Sequence, residues 1–357
     1  MRVGVDSTKF PGSEEHGALW MLERAAELGL EGVYFRSVLE LSPTLDEGEV
    51  RAAAQCAADL GLTLEAGVGK VNPFSTPEAP AIRRLGGDYR AGIVRMIESS
   101  AAAGIHELWS ALSNYQFRLA EKGRFAFDRF RTDVDWPDQL VATERFLHSL
   151  APVLRAHGTH LNIETHEEIT TYELVRLVEE VGPDVLGITF DSANVVVRGE
   201  DPVAAARRVS PYLRASHIRD VALMFTPEGL SRFLLPVGDG VLDWPALLAA
   251  LGPHQDVMLS IEGIISNRAE MGIHLYDEQW REGHPDLSLD EVVELVRLAR
   301  EYEQKAARGD ALSLDELRAP AAEGAALDFI VRSAVRLREE LAALGSTETE
   351  AVVKEEQ

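Results

Sequence analysis

Four side chains stand out for their types and spacing: Glu164, Asp191, His217 and Glu262. Each closes a short apolar run, in LNIE, VLGITFD, LRASH and VMLSIE. An ionised acid at the end of a buried strand is costly unless something pairs with it. Four metal-compatible groups at four successive run ends therefore point to a shared cation on one rim of a barrel. Three hard oxygen donors and one imidazole suit a divalent ion in octahedral geometry, with positions left for water and substrate oxygens. Mn²⁺ is the first choice, with Mg²⁺, Co²⁺ and Zn²⁺ as alternatives. A structural zinc site would show closely spaced cysteines. The chain has one cysteine, Cys56, which reads as a small core residue. The ligands are 27, 26 and 45 residues apart, one strand–helix unit per step with an insertion in the last.

The elements that would carry these residues repeat along the chain. RVGVDS, GVYFRS, TLEAGVG, IHELWSAL, HLNIETH, VLGITFD, RASHIRD and VMLSIEG read as strands, and amphipathic helical stretches separate them. Alternating strands and helices imply a parallel sheet with right-handed crossovers, and eight units imply closure into a (β/α)8 TIM barrel of the α/β class. The strand ends carry Asp6, Arg36, Lys70, Glu164, Asp191, His217 and Glu262, at the C-terminal face where such barrels place their active sites. VDSTKFPG, after the first strand, has no Gly-rich phosphate turn, which argues against a dinucleotide-binding sheet. VALMFTPEGLSRFLLPVGDG reads as a long excursion before the last unit. The barrel is expected over residues 1–306, a C-terminal helical extension over 307–345 and a disordered acidic tail over 346–357. The apolar stripe of the extension suits either its own barrel or a second copy of the chain, so a homo-oligomer formed through it is one expectation.

Composition narrows the partners. The 357 residues carry a formal charge of −24, which opposes binding to nucleic acid or an anionic membrane. No apolar run approaches the roughly 20 residues of a membrane span, and MRVGVDSTKF does not resemble a signal peptide. A cytoplasmic protein is the expectation.

ETHEE, FDSAN, SHIRD, PVGDGVLDW and SIEG, in this order, resemble the sugar phosphate isomerase/epimerase family with its xylose-isomerase-like TIM barrel. The resemblance covers roughly residues 1–306 and is best over 160–263. It implies that Glu164, Asp191, His217 and Glu262 are the metal ligands and that the two glutamates double as the acid/base pair, as in the family's ketose epimerases. Asn194 falls on the family's D-x-x-N/H position. Arg219 falls on its H-x-K/R element, where it can hold a substrate oxygen. A divalent ion bridging two substrate oxygens stabilises an enediolate. Glu164 would remove a proton and Glu262 return one. Return to the same carbon gives an epimer, and return to the neighbouring carbon interconverts aldose and ketose. With a leaving group β to the carbanion, the same apparatus eliminates, as a lyase or dehydratase acting on an inosose or a 3-keto-glycoside, C-glycosides included.

His166 shares a side with Glu164 if the chain stays extended, and is a candidate general acid or a loop residue. Lys70, Asn72, Trp109, Asn114 and Arg36 can line the pocket, with Trp109 equally read as barrel core. Arg124, Arg129 and Arg131 read as solvated loop charges rather than a phosphate clamp. The substrate expected is thus an unphosphorylated sugar, keto-sugar or cyclitol. Endonucleases on the same barrel need further histidines, and GVGKVNP after the third strand has none. A metal-binding sensor without catalysis would be expected to lack one of the glutamates, and both are present.

Overall fold

The computed structural model describes residues 1–75, 79–113, 128–131, 133–252, 256–264 and 267–355. Its centre is a closed parallel barrel. The strands are β1 (Arg2–Asp6), β2 (Gly32–Phe35), β3 (Thr63–Gly67), β4 (Glu107–Ser110), β5 (His160–Glu164), β6 (Leu186–Asp191), β7 (Leu213–Ile218) and β10 (Met258–Ile261). They follow one another around the barrel in the order β1-β10-β7-β6-β5-β4-β3-β2. The runs are short, and β6 is buried along its whole length, as expected of strands covered on both faces. Tyr34, Trp109, Ala111 and Met258 form an apolar cluster separate from the main core.

Helices between the strands form the outer layer: α1 (Ser13–Glu27), α2 (Glu47–Asp59), α3 (Tyr89–Ala102), α4 (Trp136–His157), α5 (Thr171–Val181), α6 (Pro202–Val209), α7 (Trp244–Leu251) and α8 (Leu289–Ala307). Their starts are chemically marked. Thr170 with Glu173, and Ser288 with Glu291, form capping boxes on α5 and α8, satisfying backbone N–H groups that have no partner inside the helix.

The stretch expected as an excursion is ordered. β8 (Asp220–Thr226) and β9 (Gly229–Leu235) make an antiparallel hairpin, and β11 (Met271–Ile273) pairs with β9 to complete a three-stranded sheet. Both hairpin strands are largely buried, so the polar–apolar alternation that reveals a half-exposed strand is missing. Asp220 ties this insertion to the barrel. Its carboxylate accepts the N–H groups of Val221 (2.7 Å), Gly238 (2.9 Å) and Leu242 (3.1 Å), and the Trp244 indole N–H (2.8 Å). A Cβ on Gly240 would lie 2.2 Å from Asp220 Oδ1, so the motif PVGDGVLDW needs its glycine there for close approach.

The final helix, α9 (Ala325–Glu355), runs through the stretch expected as a disordered tail. On the near part of α9, Phe329, Ile330, Ala334 and Leu337 are buried within this chain. Ser333 Oγ accepts the Val237 N–H at 3.1 Å. The extension thus packs on its own barrel. No helix among the described residues is long and apolar enough to cross a membrane.

Candidate metal and proton-transfer site

Strand register brings the four expected ligands together. Asp191 on β6 pairs with His217 on β7, and Ser260 on β10 pairs with His217 from the other side. Glu164 on β5 stands beside Thr189, two residues before Asp191 on the same face of β6. Glu262 follows β10 directly, its N–H donating to Ile218 O at 3.3 Å. One ligand atom from each of Glu164, Asp191, His217 and Glu262 lies within 4.8 Å of the others, and all four residues are buried.

Donors surround each carboxylate. Glu164 faces the indole N–H of Trp109 (3.0 Å), His217 Nδ1 (3.1 Å) and the amide of Asn194 (3.3 Å). Glu262 faces Arg219 (3.1 Å), Arg36 (3.2 Å) and His217 Nδ1 (3.7 Å). Asp191 spends Oδ1 on the N–H groups of Ala193 (2.8 Å) and Asn194 (3.0 Å), leaving Oδ2 for Arg219.

These contacts sort the protonation states. Burial raises the Glu164 carboxyl, but the charges on His217 and His166 outweigh it and bring the group well below its ordinary range. Burial acts the same way on Glu262, against Arg219, Arg36 and His217, which bring it to about 2. Asp191 goes the other way: burial carries it up to about 6 despite Arg219, with the charges of Glu164 and Glu262 adding to the rise. Burial opposes charge on His217, yet Glu164 and Glu262 lift it to about 9. Three buried carboxylates and one imidazole bring ligand atoms within 4.8 Å of one another, and this oxygen-rich donor set suits a hard or borderline divalent cation. Glu164, Asp191, His217 and Glu262 would hold it.

Other expected residues fall in several places. Trp109 is both cluster residue and site residue, since its ring packs near Tyr34 while its N–H reaches Glu164. The Lys70 ammonium sits 4.6 Å from the Trp109 ring centroid, and burial lowers its pKa. Asn194 bridges Glu164 and Arg219, accepting from the guanidinium at 3.1 Å. Arg219 pairs with two of the expected ligands, Asp191 and Glu262. His166 lies between two carboxylates, Glu168 at Nδ1 and Glu167 at Nε2 (3.1 Å). Burial would lower it, but Glu167 and Glu168 raise it to about 9.

Asn72 has partners of its own: it is completely buried, donates to Ser113 Oγ (3.2 Å) and Gln139 Oε1 (2.8 Å), and accepts from Phe74 N–H (3.0 Å). Arg129 is a correction, because it is buried against Glu173 at 2.7 Å instead of solvated. Arg131 pairs with Asp133. Asn114 and Arg124 lie outside the described residues.

Several site residues escaped the sequence reading. Tyr34 packs 4.7 Å from His217 by ring centroids. It stands two residues before Arg36 on β2, and that inward alternation was a usable signal. Glu167, half-buried, and Arg232, fully buried, form an ion pair at 3.9 Å beside His166. Arg232 had no signal, because it sits in the hairpin that the sequence left as an excursion.

A family profile described as xylose isomerase-like TIM barrel matches residues 22–284. Uncharacterized protein YihM of Escherichia coli (strain K12) is 34% identical over 94 residues, which span 26% of this chain and only 29% of YihM. The 3-oxo-isoapionate decarboxylase of Pectobacterium atrosepticum is 26% identical over 246 residues, 67% of this chain and 74% of the relative. Among solved structures, a D-psicose 3-epimerase determined in the presence of D-fructose superposes with a TM-score of 0.57 at 18% identity, covering 87% of this chain and 99% of the epimerase. That last likeness concerns the fold.

Proposed function

The chain belongs to the xylose isomerase-like TIM barrel family, and on that premise we propose that it is a divalent-metal-dependent isomerase or epimerase. Its substrate is an unphosphorylated sugar, keto-sugar or cyclitol, and its reaction is proton transfer at a carbon beside a carbonyl. The observation that carries this reading is the convergence of Glu164, Asp191, His217 and Glu262 within 4.8 Å. A divalent ion there, Mn²⁺ foremost, supplies Lewis-acid polarisation of a substrate oxygen.

The chain's own groups do the proton work. Glu164 and Glu262 are held ionised, the state a general base requires. They approach from strands that β6 and β7 separate around the barrel. One removes a proton from the substrate carbon, and the other donates after taking up a proton. Trp109 and Asn194 orient Glu164, while Arg36 and Arg219 orient Glu262. His166 is charged near neutrality and serves as proton donor to a substrate oxygen.

A second reading keeps the site and changes the outcome. The similarity to a decarboxylase over 67% of this chain favours lyase chemistry, in which either loss of carbon dioxide leaves an enolate that is then protonated, or an enolate formed by proton removal expels a β leaving group. NMR of ketoses, inososes and 3-keto-glycosides incubated with Mn²⁺-loaded protein in D₂O separates the two. An epimer or isomer carrying solvent deuterium on carbon supports the first reading, and an eliminated product supports the second. Full activity of metal-free protein would overturn both.

A further inference from the structure

The β8–β9 hairpin places one side chain against the loop that follows Glu164. Arg232 on β9 is completely buried. Its guanidinium donates to Ala269 O (3.3 Å) and to the weak acceptor Met271 Sδ (3.0 Å), and Nε has no hydrogen-bond partner among the described residues. Burial of a guanidinium with so few strong acceptors is costly. The nearest opposite charge is Glu167, with Nη2 and Oε1 3.9 Å apart.

Glu167 is itself under-used. Its side chain is 13% exposed. An ionised carboxylate offers roughly four lone-pair sites. The close partners of this one are His166 Nε2 at 3.1 Å and Arg232. Glu167 thus has acceptor capacity left for a ligand, three residues past Glu164. Substrate hydroxyl groups are the donors that match it. A carboxylate or phosphate in the same place would offer Glu167 no hydrogen to accept and would set anion against anion.

We propose that Glu167, positioned by Arg232, is the specificity-determining residue of this site. Its carboxylate accepts hydrogen bonds from hydroxyls of a neutral, polyhydroxylated substrate and turns away substrates bearing a carboxylate or phosphate on that side. This rests on the function proposed above and narrows its substrate class.

The test uses the full Mn²⁺-loaded chain and the neutral sugar of the panel that wild type turns over fastest, beside D-fructose 6-phosphate and a keto-uronate. Wild type should favour the neutral substrate. Glu167→Gln should raise KM for it about 10- to 100-fold, the loss expected for a hydrogen bond to a charged group, whatever further fall in kcat follows from the loss of the His166 partner. Arg232→Met should raise KM alike, the double variant should add little to either, and Arg232→Lys should restore part of the loss. Unchanged KM in Glu167→Gln, a fall confined to kcat, or a wild-type preference for the anionic substrates would overturn the assignment while leaving the metal-dependent function standing. Should Arg232→Met fail to fold, Glu167→Gln and Glu167→Asp decide the matter. Wild type inert toward every substrate would instead sink the proposed function, and this inference with it.

Discussion

Trp109 donates its indole N–H to Glu164 Oε2 at 3.0 Å. The ring also lies under the Lys70 ammonium, so one aromatic side chain orients a carboxylate and carries a cation. Trp109→Phe keeps an aromatic ring and deletes the donor. The expected result is a fall in kcat/KM of roughly 10- to 100-fold, the worth of a hydrogen bond to a charged group. Steady-state kinetics checks it, with near-UV circular dichroism confirming the fold. A wild-type rate would remove Trp109 from the site.

Glu262→Gln separates ligand and base from scaffold. Arg36 and Arg219 both reach this carboxylate, and both lose a charge partner in the variant. We expect turnover to drop roughly 10²- to 10⁴-fold, the range for a lost acid/base group, and metal content to fall from about one ion per chain, the count one such site implies. Elemental analysis after gel filtration reads the metal and kinetics reads the rate.

What was legible before the structure, and what was not, follows from periodicity. Glu164, Asp191, His217 and Glu262 each end an apolar run, and register in a parallel barrel lines up run ends, so the convergence of these four could be read from spacing. The hairpin that carries Arg232 could not, because its strands are buried on both faces and show no alternation. Asn72 was ambiguous for a related reason. A polar residue just after a strand reads the same whether it faces the pocket or crosses under the loop to Gln139, and only tertiary packing separates the two.

Asn72→Ala therefore tests stability in the first place. The substitution leaves Gln139 Oε1 and the Phe74 N–H without this partner in a buried setting. The expected cost is about 1–3 kcal/mol, seen as a lower midpoint in urea, while KM of the folded protein changes little. A raised KM with unchanged stability would return Asn72 to the pocket.

Glu65 on β3 sets a pH dependence. Burial, with help from Glu107, raises its carboxyl from 4.5 to about 8, against His217 and Arg2. The unfolded chain ionises this group near 4.5 and the folded chain near 8. Between those values the folded state binds more protons, so this group's contribution falls as pH rises and is fully lost above about 8. Glu65→Gln removes the titration. The variant should match wild type near pH 4 and exceed it by a few kcal/mol, roughly 2–5, at pH 8. Denaturant melts at the two pH values measure this, and a constant difference between the proteins would contradict it.

Asp220 gives the last prediction. It receives four N–H groups from three places in the chain, those of Val221, of Gly238 and Leu242, and of the Trp244 side chain. No cation neutralises it in these contacts, and burial raises its pKa. Its stabilising effect comes from tying the β8–β9 insertion to the start of α7. Asp220→Asn keeps the shape but replaces one acceptor oxygen by an NH₂ that faces N–H donors. The expected loss is about 2–4 kcal/mol, the range for spoiling a buried charge-assisted network. Because the same hairpin carries Arg232, the loosening should spread to the site. Hydrogen exchange should quicken across β8 and β9 more than across β5 and β6, and KM for the neutral substrate should rise. Faster exchange throughout the barrel would instead mean that Asp220 stabilises the whole fold evenly, and the hairpin would not be the element it secures.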